Sequence, residues 1–109
     1  MTSEAFKRHF EKVSADYRRR LPQKLAELDN LWSNVMTGAL PPERIVHLQH
    51  ELHTLAGTAE TLGVPAVSSA ARAAESFLDS FLTRNETPGP AAQADFRQLL
   101  QALKQAAQQ

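Results

Sequence analysis

Cysteine is missing from the 109-residue chain. That excludes a disulfide framework, thiol catalysis and Cys-based zinc sites, and it agrees with a reducing compartment. Net charge is missing too: Lys plus Arg and Asp plus Glu both number 12, which cancel with His neutral. Without a basic excess, no overall field draws the chain to nucleic acid or an anionic membrane. The one basic run, Arg18-Arg19-Arg20, reads as a solvated helix face. Nowhere do about 18 apolar residues follow one another, so no segment is expected to span a bilayer. The opening MTSEAFKRHFEK lacks an apolar signal core. A cytoplasmic location, with neither membrane nor nucleic acid as a partner, is the expectation. Charged residues make up 22% of the chain, too few for a disordered polyelectrolyte, whereas 42% apolar residues are enough for one core. The length suits a single small domain over 1–109.

What is present is helical periodicity, with no sustained strand-like alternation. Phe6, Phe10, Val13 and Tyr17 fall on one stripe, and Leu21, Leu25, Leu28, Trp32 and Val35 continue it. Pro22 interrupts the run by removing a backbone donor and crowding the Arg18 carbonyl. The pattern therefore predicts helices over about 3–20 and 22–36, joined by a kink or short break. Thr37 to Pro42 reads as a stop and a start, with Gly38 after one helix and Pro42 in the first turn of the next. A helix over about 42–62 carries Ile45, Leu48, Leu52, Leu55, Ala59 and Leu62 on its core face. Gly63 ends it, and Pro65 opens a helix over about 65–84 with Val67, Ala70, Ala71, Ala74, Leu78, Phe81 and Leu82 inward. Asn85 to Pro90 is loop by composition. A last helix over about 91–107 buries Phe96, Leu99, Leu100 and Leu103. Short connections favour an all-α, antiparallel up-down four-helix bundle with an additional N-terminal helix.

Three of the four histidines, His47, His50 and His53, lie in the 42–62 segment. With the core face centred at about 300° on a helical wheel, His53 falls near 80°, Gly57 near 120° and His50 near 140°. All three point outward. An interior helical glycine costs about 1 kcal/mol relative to alanine, and Gly57 stands one turn beyond His53 on the same face. Bare backbone beside an exposed imidazole offers a partner's active site close approach. Val46, Gln49, Ala56 and Glu60 surround His53 on the same wheel, and Val46 is an apolar residue on this polar face.

The stretch His53-Thr54-Leu55-Ala56-Gly57-Thr58-Ala59-Glu60-Thr61-Leu62-Gly63 resembles the histidine phosphotransfer (HPt) domains of two-component phosphorelays. Their signature reads His-x-Leu-Lys-Gly-Ser/Thr-Ala, followed by a Leu-Gly that ends the helix. VPAVSSAARAAE is similar to the family's next helix, where an acidic residue near Glu75 is usual, and LPQKLAELDNLW to an earlier one. The resemblance implies a four-helix bundle in which His53 is the phosphoacceptor and Gly57 admits a receiver domain. With that role for His53, its neighbours on the wheel, Val46, Gln49, His50, Ala56 and Glu60, are the expected docking residues. Receiver domains and a sensor or hybrid histidine kinase would be the partners of a monomeric phosphoryl carrier rather than an enzyme. No cofactor or metal of its own is implied, since the relay's Mg²⁺ belongs to the receiver. Ala56 stands where the family frequently has a lysine thought to orient or neutralise the phosphoryl group.

An imidazole suits this chemistry, because an exposed histidine with a pKa of about 6.5 is largely neutral near pH 7 and needs no dedicated base. Two other readings use the same residues. His47, His50 and His53, at i, i+3 and i+6, could share a metal ion, although His50-Glu51-Leu52-His53 is one residue short of the His-Glu-x-x-His pattern. Alternatively, a degenerate HPt-like module would bind a receiver or kinase without carrying phosphate.

Overall fold

A computed structural model describes the backbone of residues 2–36, 42–86 and 88–108, and their side chains except at 2, 34–36 and 42. Residues 37–41 of the expected stop and start, with Gly38, and the side chain of Val35 lie outside the described residues. The described residues are helical and contain no strand: α1 runs Thr2–Met36, α2 Pro42–Thr61, α3 Pro65–Thr83 and α4 Pro90–Ala107. α2 packs against α1 and α3, and α4 closes the ring between α3 and α1.

The two helices expected before residue 36 are one. α1 continues through Pro22 for 35 residues. An interior proline costs about 3 kcal/mol, but Leu21, Leu25, Leu28 and Trp32 keep one continuous buried stripe through it. Each such side chain contributes about 1.5–3 kcal/mol on burial, so packing outweighs the lost hydrogen bond. Pro22 itself faces solvent.

Upstream, the stripe behaves differently. Phe6, Phe10 and Val13 are exposed rather than buried, and Tyr17 is only partly covered. At 1.5 Å per residue α1 is about 52 Å long, whereas α2, α3 and α4 span about 27–30 Å each. The molecule is accordingly 55 Å long and 23 by 18 Å across. The start of α1 overhangs the ring, and Ser14, donating to the Leu62 carbonyl at 3.0 Å, ties it to the end of α2.

The core consists of the expected faces of the other helices. Ile45, Leu48, Leu52, Leu55 and Ala59 of α2 meet Val67, Ala71, Ala74 and Leu78 of α3 and Phe96, Leu100 and Leu103 of α4. Leu62, Ala70, Phe81, Leu82 and Leu99 are half-buried at its edge. Trp32 and Phe96 join α1 to α4 with ring centroids 4.3 Å apart, and Phe77 adds a second ring at 5.9 Å from Phe96. Gly63 ends α2 with φ +76°. The Val64 amide donates to the Ala59 carbonyl at 2.8 Å and Gly63 to Glu60 at 3.4 Å, the paired bonds of a left-handed helix stop. Asn85 makes the same stop after α3, with φ 54° and the Glu86 amide on the Phe81 carbonyl at 2.9 Å.

Candidate functional site

The 3.6-residue period that buries Leu48, Leu52 and Leu55 turns His50, His53 and Gly57 outward. The His53 side chain is 66% exposed, and a Cβ built on Gly57 would meet nothing within 4 Å. That glycine therefore serves no packing contact among the described residues, and the backbone beside His53 is open. Val46 is 49% exposed and His50 and Glu60 are exposed, with Gln49 half-buried on the α3 side.

Ala56 departs from expectation. It was placed among the outward residues around His53, yet it is 1% exposed. The small side chains of α3 let that helix lie close against this edge of α2. There the buried Ser68 hydroxyl donates to the Ala56 carbonyl at 2.9 Å. Ala56 belongs to the floor of the site, and no side chain at this position of α2 supplies a charge.

α3 supplies what the outward ridge of α2 lacks. Glu75 Oε2 lies 2.7 Å from His53 Nδ1 and accepts from Gln49 Nε2 at 3.3 Å. The Glu75 side chain is only 17% exposed, so its carboxylate is held between the helices rather than free in solvent. With Nδ1 engaged as donor, Nε2 keeps its lone pair on the outer side of the ring. Gln49, His53, Arg72, Glu75, Ser76 and Asp79 line one open depression, in which Arg72 pairs with Glu60. Sequence reasoning named Glu75 only through the resemblance and missed Arg72, Ser76 and Asp79. Their signal was the spacing 72, 75, 76, 79, the polar counterpart of the alanine face of α3.

The opposite edge of α2 faces α1. Lys24 pairs with Glu51; the hydrogen bond from its ammonium, and then its charge and those of His47 and His50, hold the Glu51 carboxyl below the usual carboxylate range against partial burial. Tyr17 Oη donates to the Leu55 carbonyl at 3.5 Å, and burial pushes its phenol up. As for the metal reading, among the described residues no three His, Cys, Asp or Glu side chains converge as a ligand set. No helix among them is long and apolar enough to cross a membrane.

An exposed imidazole whose Nδ1 meets a carboxylate, beside open backbone, leaves its other ring nitrogen accessible from outside the bundle. No curated protein and no solved structure matches the chain. A family model described as the Hpt domain matches residues 12–108, starting two residues before Ser14 fastens α1 to α2. The chain thus belongs to the Hpt-domain family, whose members serve histidine phosphotransfer in two-component signalling.

Proposed function

We propose that this domain is a phosphorelay intermediate: His53 takes a phosphoryl group from the aspartate of one receiver domain and passes it to another. The observation that carries the reading is the 2.7 Å contact between His53 Nδ1 and Glu75 on an otherwise open ridge. The Nε2 lone pair attacks the phosphorus of the aspartyl phosphate, an N–P bond forms and the P–O bond to the aspartate breaks, leaving a free carboxylate. The ring keeps its Nδ1 proton and becomes cationic, and the Glu75 carboxylate faces that developing charge at hydrogen-bond distance. Reversal toward a second receiver needs no proton transfer, since the neutral imidazole is the leaving group. Glu75 acts as a positioning residue, selecting the tautomer and ring orientation.

The bundle works as a carrier, since Mg²⁺ and the acidic pocket belong to the receiver and the upstream phosphate to a sensor or hybrid kinase. Val46, His50 and Gly57 form the docking ridge around His53, with Gln49 and Glu60 at its α3 edge. Ala56, being buried, serves beneath it. The test is transfer of label from phosphorylated receivers of the same cell. Wild type should gain acid-labile, base-stable phosphate, and His53→Gln should lose it entirely at unchanged helicity and melting temperature. His47 and His50 substitutions should retain most transfer. Label on the Gln variant would disprove the assignment, and a wild type that binds receivers yet stays unlabelled would mark a module that only docks.

A further inference from the structure

The phosphoryl group on His53 would arrive among carboxylates. Glu75 touches the imidazole, Asp79 lines the same depression and Glu60 stands two turns along the ridge. A phosphoryl group carries about two negative charges, so this setting repels it unless a cation answers. α2 supplies none at residue 56, where the side chain is a buried alanine. Of the six residues that line the depression, Arg72 alone is cationic.

Resting on the reading of His53 as acceptor, we infer that Arg72 is the phosphoryl-binding residue of this site, and that Glu60 is the ligand it leaves when the phosphoryl group arrives. Later residues of α2 meet earlier residues of α3: Gln49 lies on Glu75 and Ala56 on Ser68. In that register Arg72 stands across from Leu52, the neighbour of His53 in the chain. Its guanidinium nevertheless leans along α2 to the Glu60 carboxylate. A change of side-chain rotamer would return it toward the level of His53, with which it already lines one depression.

Energetics favour the exchange. The Arg72 and Glu60 side chains are 52% and 68% exposed, and water screens such a pair so that little holds it together. A phosphoryl group presents three acceptor oxygens and nearly twice the charge of a carboxylate, and the planar guanidinium fork matches two of those oxygens at once. Glu60 then acts as a competitor: it parks the arginine in the resting state and opposes its capture by phosphate.

That competition makes the test specific. Arg72→Gln and Glu60→Gln break the same ion pair, so a merely structural pair predicts changes of one sign. Phosphate capture predicts opposite signs. The full chain is treated with phosphoramidate, a small phosphodonor that needs no receiver, and phosphohistidine is followed by ³¹P NMR. Relative to wild type, Arg72→Gln should lower the rate of His53 phosphorylation by about tenfold, as expected for one charge-assisted hydrogen-bonded contact. Glu60→Gln should raise the rate, and Arg72→Lys should recover part of it. The ¹⁵Nε resonance of Arg72 should shift on phosphorylation of wild type. Equal rates in wild type and Arg72→Gln, or a fall in both single variants, would overturn the inference while leaving His53 as acceptor. A wild type that gains no phosphate at His53 would instead overturn the acceptor reading beneath it. Melting temperatures of all variants should match, because both side chains are largely in solvent.

Discussion

The two helices that flank α2 treat its edges in different ways. On the α1 side, Lys24 meets Glu51 and the Tyr17 hydroxyl reaches the Leu55 carbonyl, contacts between groups that remain away from the outward ridge. On the α3 side, Glu75 reaches His53 itself and Arg72 reaches Glu60 on the same ridge. Both edges join one helix to its neighbour with a charged pair, yet only one couples to the imidazole. On the proposed function, similar ion pairs differ in purpose according to whether they stand beside the reacting imidazole or away from it. The prediction is a division of labour: changes on the α3 edge alter transfer and leave folding alone, and changes on the α1 edge do the reverse.

The largest effect should come from the ridge between the two edges. Gly57→Gln projects a long side chain beside His53 and should reduce transfer by at least about tenfold, ~1.4 kcal/mol in the transition state. Because nothing lies within 4 Å of a Cβ at this position, the same variant should melt no lower than wild type. Gly57→Ala should stabilise by about 0.5–1 kcal/mol through helix propensity and a less flexible unfolded chain. A markedly lower melting temperature with intact transfer would assign the glycine to packing.

Next is the α3 edge. Glu75→Gln keeps the shape but removes the charge facing the developing imidazolium, and should slow transfer by about fivefold, close to 1 kcal/mol. The ¹⁵N spectrum of His53 should then show a larger population of the Nε2–H tautomer, a readout that loss of a structural contact alone would not move. Unchanged rate and tautomer would dissolve the contrast between the edges.

A smaller change tests docking. Val46 is the exposed apolar residue near His53, and Val46→Glu should raise the receiver concentration needed for half-maximal transfer several-fold by desolvating a charge at the interface. The maximal rate and the melting temperature should hold. An unaltered receiver affinity would move the docking surface elsewhere on the ridge.

The smallest effect belongs to the α1 edge. Glu51→Gln should cost less than about 1 kcal/mol of stability and leave transfer untouched. The Glu51 carboxyl is lowered in the folded state, chiefly by its hydrogen bond from Lys24. Its contribution is therefore present above the ordinary carboxylate range and disappears as pH falls through the lowered folded value. Denaturant titrations of the two proteins should differ near neutrality and converge in acid. A difference that persists in acid would mean the carboxylate is not what stabilises this edge.

Much of the site was legible from residue order alone. Helical period depends only on spacing along the chain, so it identified the buried face of α2, the outward direction of His53 and Gly57, and the stop at Gly63, where a left-handed residue is required. Tertiary structure decided the matters in which one helix must find another. Pro22 did not divide α1, because the buried stripe from Leu21 to Trp32 outweighs one missing hydrogen bond. Phe6, Phe10 and Val13 share their period with that stripe yet lie in solvent, since a helix longer than its neighbours has nothing to pack against at its end. Ala56 went from ridge to floor, and Glu75 and Arg72 entered the site, because α3 lies close along one edge of α2. Periodicity gives the direction in which a side chain leaves its own helix; the length and placement of neighbouring helices determine what it meets there.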